Sequence, residues 1–194
     1  MPDKIRQRLR QFFGQHAGAL SEQDLTFGIE SAALDNIASP TANLNTFHGL
    51  LQNDMATYVA LQHEMHQLME DLLTEANQQG LAGSFFVHYA PNHGRGPDGK
   101  EIVWFSEGQE SGTTDFQFML RGAIKEAGVL ALLNRYYGQR TGTYPLGKDW
   151  SVRQAPHSHQ ELIDLVTHNF DLAMMPRIVG VGDTVTSTVF MEEG

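Results

Sequence analysis

An α/β fold is predicted for this 194-residue chain by three features. Residues 55–76 carry a long run of apolar side chains at helical spacing. The segments SFFVHYA and EIVWFS are short and rich in aromatic and β-branched residues. Near the end, a helical pattern gives way to the apolar run Ile178–Val181 and then to Gly182 and Asp183. Helix, strand and acidic loop in succession is the pattern of a sheet covered by helices. The chain is 41% apolar and 19% charged, so it can bury a core and is not of disordered composition. At about 150 residues per domain, the length allows one domain and part of a second.

The elements follow in order. Ile5, Leu9, Phe12 and Phe13 recur at helical spacing in a basic background, so the first dozen residues read as an amphipathic helix ended by Gly14 and Gly18. Leu25, Phe27 and Ile29 alternate with Thr26, Gly28 and Glu30, which is a strand signal. ASPTANLN reads as a loop that caps a following helix. From Met55 to Ala76, Met55, Tyr58, Val59, Met65, Met69, Leu72, Leu73 and Ala76 share one face, and Gly80 supplies the stop. SFFVHYA and EIVWFS form two strands joined by a long Pro- and Gly-rich turn. A helix then carries Phe116, Met119, Leu120, Ala123, Ala127, Leu130 and Leu133, with Gly122 and Gly128 as places where it could divide. The segment QRTGTYPLGKDWSVRQAPH is loop-like, a helix spans about 158–170, and Ile178–Val181 is a buried strand.

Charge and composition exclude several functions. Twenty-three acidic residues against 13 Lys and Arg give a formal charge of −10, which disfavours nucleic acid and anionic membrane surfaces as partners. An anionic ligand needs a local cationic site. With no cysteine there is no disulfide framework, iron–sulfur cluster or thiol nucleophile. The start, MPDKIRQRLRQFFGQH, has no continuous apolar segment of a leader, and no apolar run approaches the roughly 20 residues that cross a bilayer. The expectation is a soluble, cytoplasmic protein.

Gly94, Gly96 and Gly99 match GxGxxG literally, but Pro97 removes an amide and a strand follows where that motif needs a helix, so they read as turn residues. His63 and His66 lie three apart, not in the HExxH spacing of zinc hydrolases, and His66 falls in the apolar stripe of its helix. A hydrogen-bonded core histidine explains it better than a metal ligand. His157 and His159 sit in a loop where a substrate contact has no support from spacing. SGTTD at 111–115 offers a helix cap, or hydroxyls for an anion at a helix start.

Asp183 is delivered by an apolar strand into a glycine-bounded loop, where a carboxylate can hold Mg2+. The alternative is a tight turn leading to the strand-like TVFME. Lys125 lies off the apolar stripe of its helix, as a solvated helix former does. It could equally offset charge on a phosphoryl group.

ASPTANLN, FFVHYAP, SGTTDFQFMLRGAIKEAGVLALLNRYY, GTYPLG, SVRQAPH and PRIVGVGDTVTS together resemble the glucosylglycerol-phosphate phosphatase family, salt-tolerance enzymes related to haloacid dehalogenase-like phosphatases. The resemblance runs from about Glu30 to the last residues. It implies a haloacid dehalogenase-like α/β fold, Mg2+ as cofactor, and release of the compatible solute glucosylglycerol from its phosphate. In that superfamily one Asp forms an aspartyl-phosphate, a second acts as acid and base, a Lys balances charge and a late acidic motif binds the metal. KEAGVLALL resembles the lysine motif, which makes Lys125 the charge-balancing residue. GVGDTVTS resembles the acidic motif, which makes Asp183 the Mg2+ ligand.

Two departures stand out. Ser187 occupies the place where the superfamily often has a second carboxylate, and no apolar strand ends in the DxDx pattern of the nucleophile. Asp54, Asp71, Asp98, Asp115 and Asp164 all fall in helical or turn contexts. The expectation is therefore a partial phosphatase, with residues 1–110 as a cap-like α/β region and 111–194 as the C-terminal part of the core. A non-catalytic α/β module that binds a sugar or phosphosugar is the competing expectation, and a histidine-metal hydrolase comes third.

Overall fold

The computed structural model describes residues 1–36, 38–156 and 159–179. They form two compact units, divided between Leu120 and Arg121. The architecture is mixed α/β, and every strand pairing among the described residues is antiparallel.

In the first unit, helix α1 (Pro2–Gln15) buries Ile5, Leu9, Phe12 and Phe13 on one face, as its spacing predicts, and runs through Gly14. Its opposite face is basic. Lys4 pairs with Glu75, Arg6 with Glu30, and Arg8 with Glu64 and Asp71, while Arg10 lies 3.7 Å from Glu30.

The strand expected at Leu25–Ile29 is instead helix α2 (Glu22–Ala32). The Ser21 hydroxyl caps it by accepting from the Asp24 amide at 3.1 Å, and Gly28, Ile29 and Ala32 form the buried stripe. Phe27, which completed the apparent alternation, is 63% exposed. Gly28 lets α2 sit close to the ring of Phe47, since a Cβ there would lie 2.5 Å from Phe47 Cε1. Ser21→Ala is expected to lower stability by about 1 kcal/mol, read from the midpoint of urea unfolding.

Short strands β1 (Ala33–Leu34) and β2 (Thr41–Asn43) follow, so ASPTANLN holds a strand as well as the turn into α3 (Asn45–Leu50). Helix α4 (Met55–Gln78) matches the expected helix. Asp54 accepts from the Thr57 amide at its start, and Gly80, at φ 76°, lies just past its end. Its stripe of Tyr58, Leu61, Met65, Leu68, Met69 and Leu72 is the spine of the core.

Strand β3 (Phe85–Ala90) lies in SFFVHYA. Strands β4 (Asn92–Arg95) and β5 (Glu101–Val103) make a separate hairpin, so EIVWFS pairs with β4 and not with SFFVHYA. Gly94 and Gly99 both have positive φ, in keeping with the turn reading of GxGxxG.

The helix expected from Phe116 divides at Gly122. Residues 115–120 are strand β6 (Asp115–Leu120), and helix α5 (Lys125–Thr141) starts only after the break. Phe116, Met119 and Leu120 mimic helical spacing, but the chain buries Phe116 and Phe118 on one face and turns Asp115 and Gln117 to the other. SGTTD therefore leads into a strand and caps no helix. The four-stranded sheet has the order β1-β2-β6-β3, with β2 and β6 interior. One face packs Ala42, Tyr89, Phe116 and Phe118 into the main core.

The second unit consists of α5, helix α6 (His159–Asn169) and two short 3-10 turns at Val152–Gln154 and Leu172–Met174. Leu130, Leu133, Tyr137, Leu162 and Phe170 form its core. The loop after α5 is pinned by buried Asn134, whose Nδ2 donates to Gly147 O and whose Oδ1 accepts from Leu146 N, both at 2.9 Å. The buried strand expected at 178–181 is not supported by its described part. Ile178 and Val179 are exposed and lie in no strand, and the remainder falls outside the described residues.

Candidate functional site

The second face of the sheet is polar around Asp115 and Gln117 and apolar where Phe86 lies opposite Met119. Across its register, Asn43 faces Asp115, which faces Ala90, while Thr41 faces Gln117, which faces His88. Asn43 Nδ2 donates to Asp115 Oδ1 at 2.5 Å, and Asn43 Oδ1 accepts from the Asn45 amide. The asparagine amide thus fixes the Asp115 carboxyl against the start of α3. Burial pushes that carboxyl up from its ordinary pKa, against the Asn43 donation and the attraction of His88, which both act downward.

His88 is held from the hairpin side. Its Nδ1 lies 3.0 Å from both oxygens of Glu101. A carboxylate can only accept, so Nδ1 carries the proton. Glu101, with 7% of its side chain exposed, also accepts from Tyr89 N at 2.8 Å and from Asn92 Nδ2 at 3.3 Å, with Arg95 at 3.5 Å. A buried carboxylate with this many donors is well satisfied, and it joins the hairpin to the sheet.

The residues before β6 set where Asp115 sits. Thr113 Oγ1 donates to Pro91 O at 2.6 Å and accepts from Trp104 N at 2.9 Å, while Thr114 N donates to Ala90 O. Behind them is Gln62 of α4, fully buried. Its Nε2 donates to Ser111 O and Thr113 O, and its Oε1 accepts from Ser106 N. The Thr113 hydroxyl of SGTTD is therefore structural, as are the carbonyls of Ser111 and Thr113.

Lys125 is the first residue of α5, exposed, and makes no salt bridge among the described residues. A cation in the first turn opposes the helix dipole, so helix stability does not account for it. Asp183 and His157 lie outside the described residues, so Lys125 and Asp183 are not seen together. No group of three or more potential metal ligands occurs among the described residues. His63 stacks on Phe105 with 3.8 Å between ring centres, and His66 meets Tyr89 edge-on, so both serve as aromatic packing. Burial pulls the His66 pKa down, as expected of a ring within an apolar stripe. Val129, Leu130, Leu133, Leu162, Ile163 and Val166 line a groove between α5 and α6, an apolar surface unsuited to a phosphate ester.

Sequence reasoning missed the polar sheet face because assigning Phe116–Leu120 to a helix dissolves the register that unites Asn43, His88, Asp115 and Gln117. The signal was present in the alternation of DFQF. Asp115 opens a strand, where the sequence reading places it at a helix start.

A mixed α/β chain with a polar sheet face and an exposed lysine at a helix start is compatible with phosphoester chemistry, and comparison with known proteins gives the class. The chain belongs to the glucosylglycerol-phosphate phosphatase family (Salt_tol_Pase), whose model matches residues 1–194. It is 60% identical over 189 residues to the glucosylglycerol-phosphate phosphatase of Synechocystis sp., covering 97% of this chain and 45% of that protein. The chain thus spans less than half the length of this relative. No solved structure matches it. Among the described residues no helix is long and apolar enough to cross a membrane.

Proposed function

We propose that this chain is the part of a glucosylglycerol-phosphate phosphatase that supplies substrate-recognition and charge-balancing groups for hydrolysis of the phosphate monoester. The 60% identity along nearly the whole chain carries this reading. The fold is haloacid dehalogenase-like on this proposal, residues 1–110 correspond to the cap, and residues 111–194 to the C-terminal part of the core. An aspartate attacks phosphorus, the glucosylglycerol oxygen leaves with a proton from a second aspartate, and water then releases phosphate from the aspartyl-phosphate. No two aspartates of this chain are spaced as DxD, and on this proposal the nucleophile is not among these residues.

Lys125 balances charge on the phosphoryl group, which suits a chain whose overall charge of −10 repels anions. Asp183 is proposed as a ligand of Mg2+, an ion that, when bound, offsets phosphate charge. The described residues show no cluster that fits it, so no step is assigned through it. The enzyme works in the cytoplasm on this proposal.

Titration calorimetry with glucosylglycerol phosphate, beside an assay for released phosphate, tests the reading. Binding strengthened by Mg2+, with no turnover by this chain alone, is expected. Binding indifferent to Mg2+ favours a non-catalytic sugar-binding module. Turnover abolished by Asp183→Ala overturns the assignment of the nucleophile to other residues. Lys125→Ala is expected to leave the unfolding midpoint within about 0.5 kcal/mol of the parent, since its side chain is exposed, while weakening binding of the phosphorylated ligand.

A further inference from the structure

We propose that the polar face of strand β6 recognises the hydroxyl groups of a sugar or polyol, with Asp115 and Gln117 making the contacts. The identification of that sugar as glucosylglycerol rests on the phosphatase reading above; the existence of the site does not.

Two groups on this face are left without partners. Asp115 Oδ1 is engaged by Asn43, but its second oxygen has no hydrogen bond among the described residues. The side-chain amide of Gln117, also half-buried, makes none either. Neither group is sealed from solvent, so both are open to pair with the hydroxyl groups of a ligand. The two residues are i and i+2 on an interior strand, so they point the same way about 6.8 Å apart. That separation lets two side chains reach different hydroxyls of one hexose ring.

The chemistry narrows the ligand. Asp115 offers an acceptor, and Gln117 offers both a donor and an acceptor, which is what hydroxyl groups require. Asn43, Asp115, Gln117 and Thr41 bring no positive charge to this face, and the basic group beside them, His88, is already paired through Nδ1 with the carboxylate of Glu101. A phosphate would meet a carboxylate here, so a phosphate group is excluded from this surface and a neutral polyol is not.

The supports are stiff. Asp115 is fixed by Asn43, and β6 is hydrogen-bonded on both sides, to β2 and β3. A site on interior strands keeps its geometry better than one on loops.

The test titrates the whole chain with glucosylglycerol, which carries the hydroxyls without the phosphate, and follows saturation transfer by NMR. Glucose and sucrose are run in parallel. Glucosylglycerol is expected to bind, Asp115→Asn to weaken binding between about tenfold and a hundredfold, the range for a hydrogen bond to a charged acceptor, and Gln117→Ala to weaken it less. Asparagine at 115 can still accept from Asn43, so its unfolding midpoint should match the parent, and Gln117→Ala checks the face independently of that bond. If glucose or sucrose binds with the same dependence on Asp115 while glucosylglycerol does not, the surface stands and the phosphatase substrate falls. If no polyol binds, or binding is equal in the parent and both variants, the inference is overturned. Mg2+-dependent binding of glucosylglycerol phosphate would then leave the phosphatase reading intact.

Discussion

Gln62→Leu should destabilise the first unit by about 2–6 kcal/mol, a large effect for a single side chain. The physical reason is the number of backbone groups that depend on one amide. Gln62 is fully buried in the stripe of α4, yet it makes three hydrogen bonds to the chain between β5 and β6, at 3.0, 2.8 and 2.8 Å. Leucine is of similar size and leaves no cavity, but it strands the carbonyl of Thr113 and the amide of Ser106 away from water, while the Ser111 carbonyl keeps the hydroxyl of Tyr58 at 2.9 Å. Each unpaired buried group costs about 1–3 kcal/mol. Gly112 lets this loop pack closely on the chain after β5 and on the amide of Gln62. Gly112 has φ 61°, and a Cβ there would lie 2.8 Å from Ser106 N. Urea unfolding followed by circular dichroism reads the loss directly, and a midpoint unchanged from the parent would refute it. The same loop delivers Asp115 to the sheet, so weaker polyol binding should accompany the loss.

The second large effect is expected at Gly122. Here φ is 85°, and a Cβ would sit 2.6 Å from the carbonyl carbon of Val152 and 2.9 Å from Arg153 N. Both obstacles are backbone, and both belong to the 3-10 turn closed by Ser151 and Gln154 in a capping box. Gly122→Ala combines an unfavourable left-handed conformation with a clash that no side-chain rotation relieves, at a cost of about 3 kcal/mol or more. Amide hydrogen exchange should show α5 opening more readily, while α4 keeps its protection. Equal protection of α5 in variant and parent would show that the turn adapts freely. Gly122 lies three residues before Lys125, so the substitution also displaces the lysine. Comparison with Lys125→Ala separates a displaced ammonium from a missing one, because only Gly122→Ala unfolds the helix.

These two positions explain what could be read from the sequence. Helix α4 is legible because a long stripe repeats many times between an Asp cap and a glycine stop, and no competing period survives over that length. Residues 22–32 and 115–120 are short, and over so few residues the two periods overlap. Phe27 can then pass for a strand residue and Leu120 for a helical one. Tertiary packing decides such cases. Ser21 and the ring of Phe47 select a helix for the first, while the hydrogen-bond demand of β2 and β3 on either side selects a strand for the second. Lys125 and Asp183 are legible only by resemblance, since an exposed lysine and a loop aspartate carry no spacing of their own. The pair Asp115 and Gln117 needs the sheet register, because their neighbours Asn43 and His88 lie far away in sequence. Gln62 is a polar residue in an apolar stripe, and its role depends on a loop 44 or more residues ahead.

The two faces of α1 differ in their response to ionic strength. Its four basic side chains all reach acids on α2 and α4, but these pairs are partly exposed. Such pairs contribute roughly 0–1 kcal/mol each. The screening length falls from about 8 Å at physiological salt to about 3 Å at 1 M, which weakens them further. Ile5, Leu9, Phe12 and Phe13 on the other face are buried, at roughly 1.5–3 kcal/mol apiece, and screening does not touch them. Electrolyte therefore removes the smaller part of the attachment and leaves the larger part in place. Orientation can relax at the rim while the helix stays seated, and the first unit keeps its core in a concentrated ionic medium.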